Sequence, residues 1–360
     1  MAERIVVMGA GAIGAAMGAY LIREGHDVTL IDQWAAHIDA IKSRGLTLTD
    51  LKGTFTVKAK ALHISEVCNL QNQFDIVILS VKSYDTHWST CFIEPYLKLT
   101  GFILPAQNSL NDETVAYVMG FNRTVGCVPM ISAGLYEPGH VIRTSPLEAH
   151  CFIIGELSGV ITPRAQKVVQ MLSVIGHSEA TTNIWGTRWS KLTINCLANA
   201  LSGIVGPEVS TNAESLTPDQ QNTVYFVRTI LGCEAAKVAS ALGFTLGPIY
   251  TLPSEDFVKA TTNEDIKKLK ERLEALMKKR YPDVAQKVGV PDRPSLLQDV
   301  MKGRRTEVDY LNGIIVSKGK ELGIPTPMNK AVLELTKKIE TGKVKPGPVN
   351  LELLEPYLRT

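Results

Sequence analysis

The sequence has no apolar run that approaches the length of a membrane-spanning helix. Its first residues lead directly into a predicted β-strand, without the charged and apolar segments of a secretory signal peptide. We therefore expect no membrane partner and a location in the cytoplasm. The 360 residues exceed what one hydrophobic core usually supports, so we expect two domains.

The net charge is small, and the cysteines are not closely spaced in pairs. The 38 basic and 36 acidic side chains leave a formal net charge of +2, which gives no reason to expect a nucleic acid partner. No Cys-x-x-Cys pair occurs, so we expect reduced, mostly buried cysteines and no metal site. The six cysteines are Cys68, Cys91, Cys127, Cys151, Cys196 and Cys233.

Glycine is concentrated near the start of the chain, between two predicted strands. The order is a strand at 4–8, the loop Gly9-Ala10-Gly11-Ala12-Ile13-Gly14, a helix at 15–24 and a strand at 28–31. Both strands are short, apolar and rich in β-branched residues, which is typical of buried parallel strands. Asp32 follows the second strand directly.

Each part of this stretch suits a bound dinucleotide. Gly9 would permit a tight turn, Gly11 the approach of a pyrophosphate, and Gly14 close packing of the helix on the strand. The N-terminus of the helix would bind the phosphates, and Asp32 would accept hydrogen bonds from a ribose 2′-OH. The stretch therefore predicts a dinucleotide-binding Rossmann unit; the alternative is a glycine-rich turn in another α/β domain.

The rest of the chain divides into a mixed part and a helical part. The mixed part has a predicted helix at 33–44, a hairpin at 46–60 and strands at 74–82, 102–106, 124–132, 140–143 and 150–155, the last two at the edge of the sheet. The helical part has predicted helices at 164–175, 186–205, 223–242, 264–279, 293–322 and 329–341. We predict domains at 1–162 and 163–341 and an extended tail at 342–360.

A polar stripe crosses the predicted helix at 186–205. Lys191, Asn195 and Asn199 are spaced i, i+4 and i+8, so they share one face of a segment that is otherwise apolar. Polar side chains on a core helix are costly unless they find partners. The functional interpretation is an ammonium and two amides that face a substrate. The alternative is a surface lysine with two asparagines that cap neighbouring loops.

A second polar group lies in the predicted helix at 293–322. Glu307 would lie about three turns after Ser295, on roughly the same side. The alternative is a surface helix with salt bridges between Glu307, Asp309 and the nearby arginines. Pattern alone does not separate these two interpretations.

The motifs, taken together and in order, resemble those of the ketopantoate reductase family. They are Gly9-x-Gly11-x-x-Gly14, Val81-Lys82-Ser83, Gln107-Asn108, Lys191-x-x-x-Asn195-x-x-x-Asn199, Ser295-x-x-Gln298-Asp299, Thr306-Glu307-x-Asp309 and Gly323-Ile-Pro-Thr-Pro327-x-Asn329. The resemblance implies an N-terminal Rossmann domain followed by an all-helical C-terminal domain, with the active site in the cleft between them. It also implies reduction of a 2-oxo acid by a nicotinamide cofactor.

The resemblance also assigns roles to single residues. Lys191 would be the general acid, and Glu307 would pair with it or hold a substrate hydroxyl near the cofactor. Substrate binding is expected from Asn108, Asn195, Asn199 and Ser295. Cofactor binding is expected from Gly9, Ala10, Gly11, Ala12, Ile13, Gly14, Asp32, Lys82, Asn108 and Glu307. A homodimer is a further expectation at the level of the family.

The chain departs from the family pattern at three places. Asp32 stands where members that use NADPH commonly carry a basic residue, so we expect NAD(H) to be preferred over NADP(H). Ser109 replaces a glycine after the asparagine, which would narrow the space beside the nicotinamide. The segment 244–292 looks longer than in compact members.

Two alternatives to a ketopantoate-type reductase stay open. One is an opine- or 3-hydroxyacid-type dehydrogenase, whose chemistry generally calls for a catalytic histidine. The other is a redox sensor that binds NAD(H) without turnover, which would have no need of the polar groups around Lys191.

Overall fold

The computed structural model describes residues 3–70, 74–207, 216–278, 287–290 and 293–358. The chain divides into two units, each with its own core. Unit 1 comprises Met1–Ile184 and Asp283–Asp292, and unit 2 comprises Trp185–Pro282 and Arg293–Thr360.

Unit 1 contains both strands and helices. The strands are β1 Arg4–Met8, β2 Asp27–Asp32, β3 Leu46–Asp50, β4 Gly53–Val57, β5 Lys60–His63, β6 Phe74–Leu79, β7 Leu97–Pro105, β8 Val125–Pro129, β9 Ala133–Glu137, β10 His140–Arg143, β11 His150–Glu156 and β12 His177–Ala180. The helices are α1 Ala12–Arg23, α2 Ala35–Arg44, α3 Thr86–Ile93, α4 Asp112–Met119 and α5 Pro163–Leu172.

The main sheet of unit 1 has five parallel strands in the order β5-β2-β1-β6-β7. The interior strands β1 and β6 are buried almost throughout, as their continuous apolar sequences predict. Helix α1 packs against β1 and β2 and also against β3, β9 and β10. The predicted Rossmann architecture is therefore confirmed.

Two smaller sheets complete unit 1, in the orders β4-β3-β10-β9 and β12-β11-β8. The prediction that the strands at 140–143 and 150–155 lie at the edge of the main sheet is wrong. Strand β10 pairs with β3 and β9, whereas β11 pairs with β8 and β12. The hairpin of β3 and β4 offers β10 a partner outside the main sheet, which local sequence does not indicate.

The predicted boundary at residue 162 also differs from the structure, because unit 1 continues to Ile184. Helix α5 packs on β11 and β12, and its buried residues include Val168 and Leu172. The change to helical sequence at Pro163 therefore precedes the change of unit.

Unit 2 is built from helices, and its described residues contain no named strand. The helices are α6 Ile184–Val205, which begins one residue before the boundary, α7 Pro218–Ala241, α8 Ser254–Lys259, α9 Asn263–Lys278, α10 Ser295–Met301, α11 Asn312–Leu322 and α12 Pro327–Glu340. The charged helix α9 buries Ile266, Leu269 and Leu273, so only its other side is solvated. The predicted fold class, a Rossmann domain followed by a helical domain, is confirmed.

Two predictions for unit 2 are wrong. The predicted helix at 293–322 is broken after Met301, where Gly303 adopts a left-handed φ of 61°. The tail from 342 is not simply extended. It forms short 3₁₀ turns at Pro348–Leu351 and Glu355–Tyr357, and it buries Leu351 and Leu354 in the core of unit 2.

Two other expectations concern the state of the cysteines and the presence of a membrane-spanning helix. None of the six cysteines, all of which the structure describes, forms a disulfide, and four of them, Cys127, Cys151, Cys196 and Cys233, are buried. Among the described residues, none of the helices is both long and apolar enough to cross a membrane.

Candidate active site

The glycine loop of unit 1 is fixed by contacts between backbones. Gly9 has a φ of 96°, and a Cβ on it would lie 2.7 Å from the backbone nitrogen of Val81. A Cβ on Gly14 would lie 2.0 Å from the carbonyl oxygen of Gly9. Around Gly11, by contrast, a Cβ would meet no atom within 4 Å. Gly9 and Gly14 are therefore required by packing, whereas Gly11 leaves open space for a ligand to approach the backbone.

The first turn of α1 has donors to offer to an anion. Gly11 is the N-cap residue, and no side chain in the described part of the chain caps this helix. The first turn contains no acidic residue that would repel a phosphate. Uncapped N–H groups and the partial positive charge of the helix end suit the pyrophosphate of a dinucleotide. The residues present therefore fit the cofactor that the loop predicts.

Asp32 lies at the carboxyl end of β2, half-buried. Its Oδ1 accepts a hydrogen bond of 2.8 Å from the backbone nitrogen of Trp34, which orients the carboxylate in an Asx turn. The buried His37 ring stacks on Trp34 and accepts a hydrogen bond of 2.9 Å at Nδ1 from the backbone nitrogen of Gly139. Burial lowers the pKa of His37, against the opposing effect of the Asp32 charge, so the imidazole is neutral at pH 7.

The loops that follow β6 and β7 are tied together. Gln107 Nε2 donates to the carbonyl oxygen of Val81 at 2.8 Å and to Thr86 Oγ1 at 2.9 Å. Parallel strands present their carboxyl ends at one edge of a sheet, so these loops adjoin the glycine loop. The structure therefore brings the half-buried Lys82 and Asn108 to the edge that carries Gly9.

Ser109 adopts a backbone conformation that is rare for its residue type. Its φ is 72°, in the left-handed region, and the residue is only 3% exposed. Asn111 Nδ2 donates to the carbonyl oxygen of Asn108 at 2.7 Å and supports the same turn. Strained backbone of this kind is often found at ligand sites, and here it directly follows Asn108.

The polar stripe of unit 2 lies on α6, as the spacing predicts. Asn195 and Asn199 are buried, and Lys191 is half-buried. The apolar residues between them, Leu192 and Cys196, are fully buried. The stripe therefore belongs to a core helix and not to a solvated face. This burial weighs against a surface lysine with two loop-capping asparagines.

Helix α10 packs on the same helix. A Cβ on Gly203 of α6 would lie 2.3 Å from Leu296 Cδ2. Ser295, the first residue of α10, therefore adjoins the part of α6 that follows Asn199.

Glu307 is buried, but it does not share a helix with Ser295 as predicted. It precedes a 3₁₀ turn at Val308–Tyr310, and its carbonyl oxygen accepts a hydrogen bond of 2.9 Å from Tyr310. Asp309 forms two of the salt bridges expected of a surface helix, with Lys337 and with Arg305. The structure therefore buries Glu307 and leaves Asp309 in a partly exposed ion-pair network.

A buried polar network, missed by sequence reasoning, connects four helices of unit 2. Glu234 of α7 accepts hydrogen bonds from the backbone nitrogens of Met328 and Asn329 at 2.9 and 2.8 Å and so caps α12. Asn312 of α11 donates to Asn329 Oδ1 at 2.9 Å and to the carbonyl oxygen of Cys196 at 3.5 Å. The signal in the sequence was Glu234 itself, an acidic residue within an apolar stretch of a predicted helix. The network places the start of α11 beside the middle of the polar stripe.

Comparison with known proteins gives matches along most of the chain. The family model described as ketopantoate reductase PanE/ApbA matches residues 5–158, and its C-terminal counterpart matches 183–340. The 2-dehydropantoate 2-reductase of Archaeoglobus fulgidus is 26% identical over 342 residues, which cover 94% of this chain and 99% of that protein.

Two solved structures are similar over the same extent. A PanE/ApbA family ketopantoate reductase from Ralstonia eutropha JMP134 has 26% identity and a TM-score of 0.72. A ternary structure of D-mandelate dehydrogenase with NADH and anilino(oxo)acetate has 25% identity and a TM-score of 0.77. Each match covers 94% of this chain and 99% of the other chain.

Proposed function

Since this chain belongs to the ketopantoate reductase family, and so is an oxidoreductase that acts on a CH–OH group, we propose that it transfers a hydride between NAD(H) and a 2-oxo/2-hydroxy acid. The substrate would be ketopantoate or a related small acid. The observation that carries this proposal is the stripe of Lys191, Asn195 and Asn199 on a core helix.

Unit 1 would bind the cofactor. The open space at Gly11 and the uncapped start of α1 suit the pyrophosphate, and Asp32 suits a ribose 2′-OH. When bound, the nicotinamide supplies the hydride to the carbonyl carbon in reduction, or accepts it in oxidation. Lys82 and Asn108 share the edge of the sheet with the glycine loop and would contact the cofactor from there.

Lys191 would act as the general acid in reduction and as the general base in oxidation. In reduction the carbonyl oxygen gains negative charge as its carbon receives the hydride, and the Lys191 ammonium donates a proton to it. In oxidation the neutral amine takes the hydroxyl proton instead. Asn195, Asn199 and Ser295 would hold the carboxylate and hydroxyl groups of the substrate, and Glu307 would pair with Lys191 or bind a hydroxyl.

The preference for NAD(H) rests on Asp32. A carboxylate at the end of β2 accepts hydrogen bonds from two ribose hydroxyls but repels a 2′-phosphate. Arg44 is the next arginine after Asp32, and its guanidinium donates to the carbonyl oxygen of Pro138. The similar D-mandelate dehydrogenase was solved with NADH, which supports the same preference. NADP(H) is the second choice.

The alternative enzyme class has less support. Opine- and 3-hydroxyacid-type chemistry generally calls for a catalytic histidine, but all seven histidines precede Thr181 in the sequence, and unit 2 has none. The helical unit therefore offers Lys191 as its acid and not an imidazole.

The test is a kinetic screen with a matched pair of variants. NADH absorbance is followed while ketopantoate and other 2-oxo acids are added, then NADPH replaces NADH, and the 2-hydroxy acids are tested with NAD. We expect turnover, better with NADH, and a fall in kcat of about 10²- to 10⁴-fold in Lys191→Ala. Lys267→Ala, at an exposed position on α9, is the control and should leave kcat unchanged.

Two results would contradict the proposal. NADH binding without turnover on any acid would favour a redox sensor, and normal turnover by Lys191→Ala would exclude the general-acid role. A homodimer and a cytoplasmic location stay predictions. Sedimentation equilibrium of the purified protein tests the first.

A further inference from the structure

We propose that His150, His177 and Glu179 form a binding site for a divalent transition metal of the zinc type on unit 1. The site is independent of the proposed reaction, because it lies on the three-stranded sheet, whereas the glycine loop belongs to the five-stranded sheet.

The pairing of two strands brings the three side chains together. Strands β11 and β12 are parallel neighbours, and His150 is the register partner of His177. Side chains two residues apart project from the same face of a strand, so Glu179 follows His177 on that face. The register shift after His150 alters the local pairing of β11 at its first residue. A pair distant in sequence thus becomes a cross-strand pair of imidazoles.

The distances fit a metal site that closes with small side-chain rotations. The imidazole rings of His150 and His177 lie 4.2 Å apart between centroids at an angle of 86°, and His150 Nδ1 lies 3.8 Å from Glu179 Oε1. One ligand atom from each residue lies within 4.8 Å of the other two. Tetrahedral zinc with bonds of about 2.0–2.1 Å needs ligand atoms roughly 3.3 Å apart. The side chains of His150 and Glu179 are 54% and 49% exposed, so they are free to make this adjustment.

The ligand types select the class of metal. Two imidazoles and one carboxylate favour Zn²⁺, Ni²⁺ and Cu²⁺ over Mg²⁺ and Ca²⁺, which prefer oxygen ligands alone. Three protein ligands leave at least one coordination position for water. A metal bound in this way would join the first residues of β11 and β12 and hold the two strands together.

The experiment uses the full chain, freed of metal with a chelator and titrated with ZnCl₂ in a calorimeter. CoCl₂ then serves as a spectroscopic probe, because tetrahedral Co²⁺ absorbs strongly in the visible range. The variants are His150→Ala, His177→Ala and Glu179→Gln, and the control is His87→Ala, another exposed histidine of unit 1. All four positions are exposed, so the variants should fold. Thermal unfolding is measured with and without ZnCl₂.

We expect one Zn²⁺ per chain with micromolar affinity. Each of the three variants should weaken binding by about 10-fold or more, whereas His87→Ala should not. Zinc should raise the Tm of the wild-type protein but not that of His177→Ala. Equal zinc affinity in the wild-type protein and in His177→Ala, or a Tm unaffected by zinc, would overturn the site and leave an ordinary histidine–glutamate ion pair.

Discussion

Gly9 and Val81 approach so closely that a methyl group on Gly9 would lie 2.7 Å from the Val81 backbone nitrogen. This contact joins the turn after β1 to the turn after β6, and Gln107 joins the second turn to the one after β7. The edge of the sheet that would receive the cofactor is therefore held by a close backbone contact and by a side-chain hydrogen bond. Gly9 is required by this packing, whereas Gly11 leaves the binding surface open.

The two glycines should respond differently to the same added methyl group. Gly9→Ala should destabilise the protein by about 3 kcal/mol or more, because it adds a clash to a left-handed φ of 96°. Gly11→Ala should change stability by less than about 1 kcal/mol but weaken NADH binding about tenfold or more, since its methyl group would occupy the pyrophosphate space. Urea unfolding and a fluorescence titration with NADH measure the two effects. Unchanged NADH affinity in Gly11→Ala would place the pyrophosphate elsewhere.

Asp32→Asn should move the cofactor preference toward NADPH. The amide oxygen keeps the hydrogen bond from Trp34, while the charge that repels a 2′-phosphate is lost. We expect the ratio of kcat/KM for NADH over NADPH to fall about tenfold. Asp27→Asn, at the other end of β2 and paired with Lys60, is the matched control. An equal change in both variants would show a general effect on β2 and not recognition by Asp32.

Ser109 offers a test of backbone strain beside Asn108. Ser109→Gly should keep stability within about 1 kcal/mol of the wild-type protein, because glycine adopts a φ of 72° without strain but loses more entropy on folding. Ser109→Val should cost about 2 kcal/mol or more, since β-branched residues are strongly disfavoured there. Thermal unfolding of the three proteins measures both values. A valine variant as stable as the glycine variant would contradict the strain.

Glu234 should make stability depend on pH. Burial raises the pKa of this carboxyl above its ordinary value, although hydrogen bonds from Met328 and Asn329 act in the opposite direction. The folded state then binds more protons than the unfolded state, so the contribution of Glu234 is fully present below the unfolded pKa and is lost as pH rises through the folded pKa.

The comparison with Glu234→Gln isolates this effect. The stability of the wild-type protein relative to the variant should decline as pH rises from about 4.5, by about 1.4 kcal/mol for each unit by which the folded pKa exceeds the unfolded one. Urea unfolding of both proteins across the range measures the difference. A relative stability that grows with pH would mean that the hydrogen bonds outweigh burial and lower the pKa.

Local pattern was sufficient for some of these features. The glycine loop and the strands around it follow from residues adjacent in sequence, and the helical period alone places Lys191, Asn195 and Asn199 on one face. The extent of their burial needed the structure, as did the close contact of Gly9 with Val81, because both depend on segments far away in the chain.

Other features depend on pairings that local sequence does not encode. Strands β10 and β11 have similar patterns, yet they join different sheets because β3 is available to one and β8 to the other. The break before Glu307 depends on one left-handed glycine, Gly303, within a segment of otherwise helical pattern. The approach of His150 to His177 likewise follows from strand order and not from spacing.

The last residues of the chain complete the helix that carries Lys191. The carbonyl oxygen of Ile204, near the end of α6, accepts hydrogen bonds of 3.0 Å from the backbone nitrogen of Gly347 and from Asn350 Nδ2. A carbonyl at a helix end needs such partners when it is buried. During synthesis, the end of α6 must wait for Asn350, which is made 146 residues later. The helical unit therefore reaches its final state only after these residues have been made, whereas the glycine loop and its neighbouring strands have all their partners much earlier.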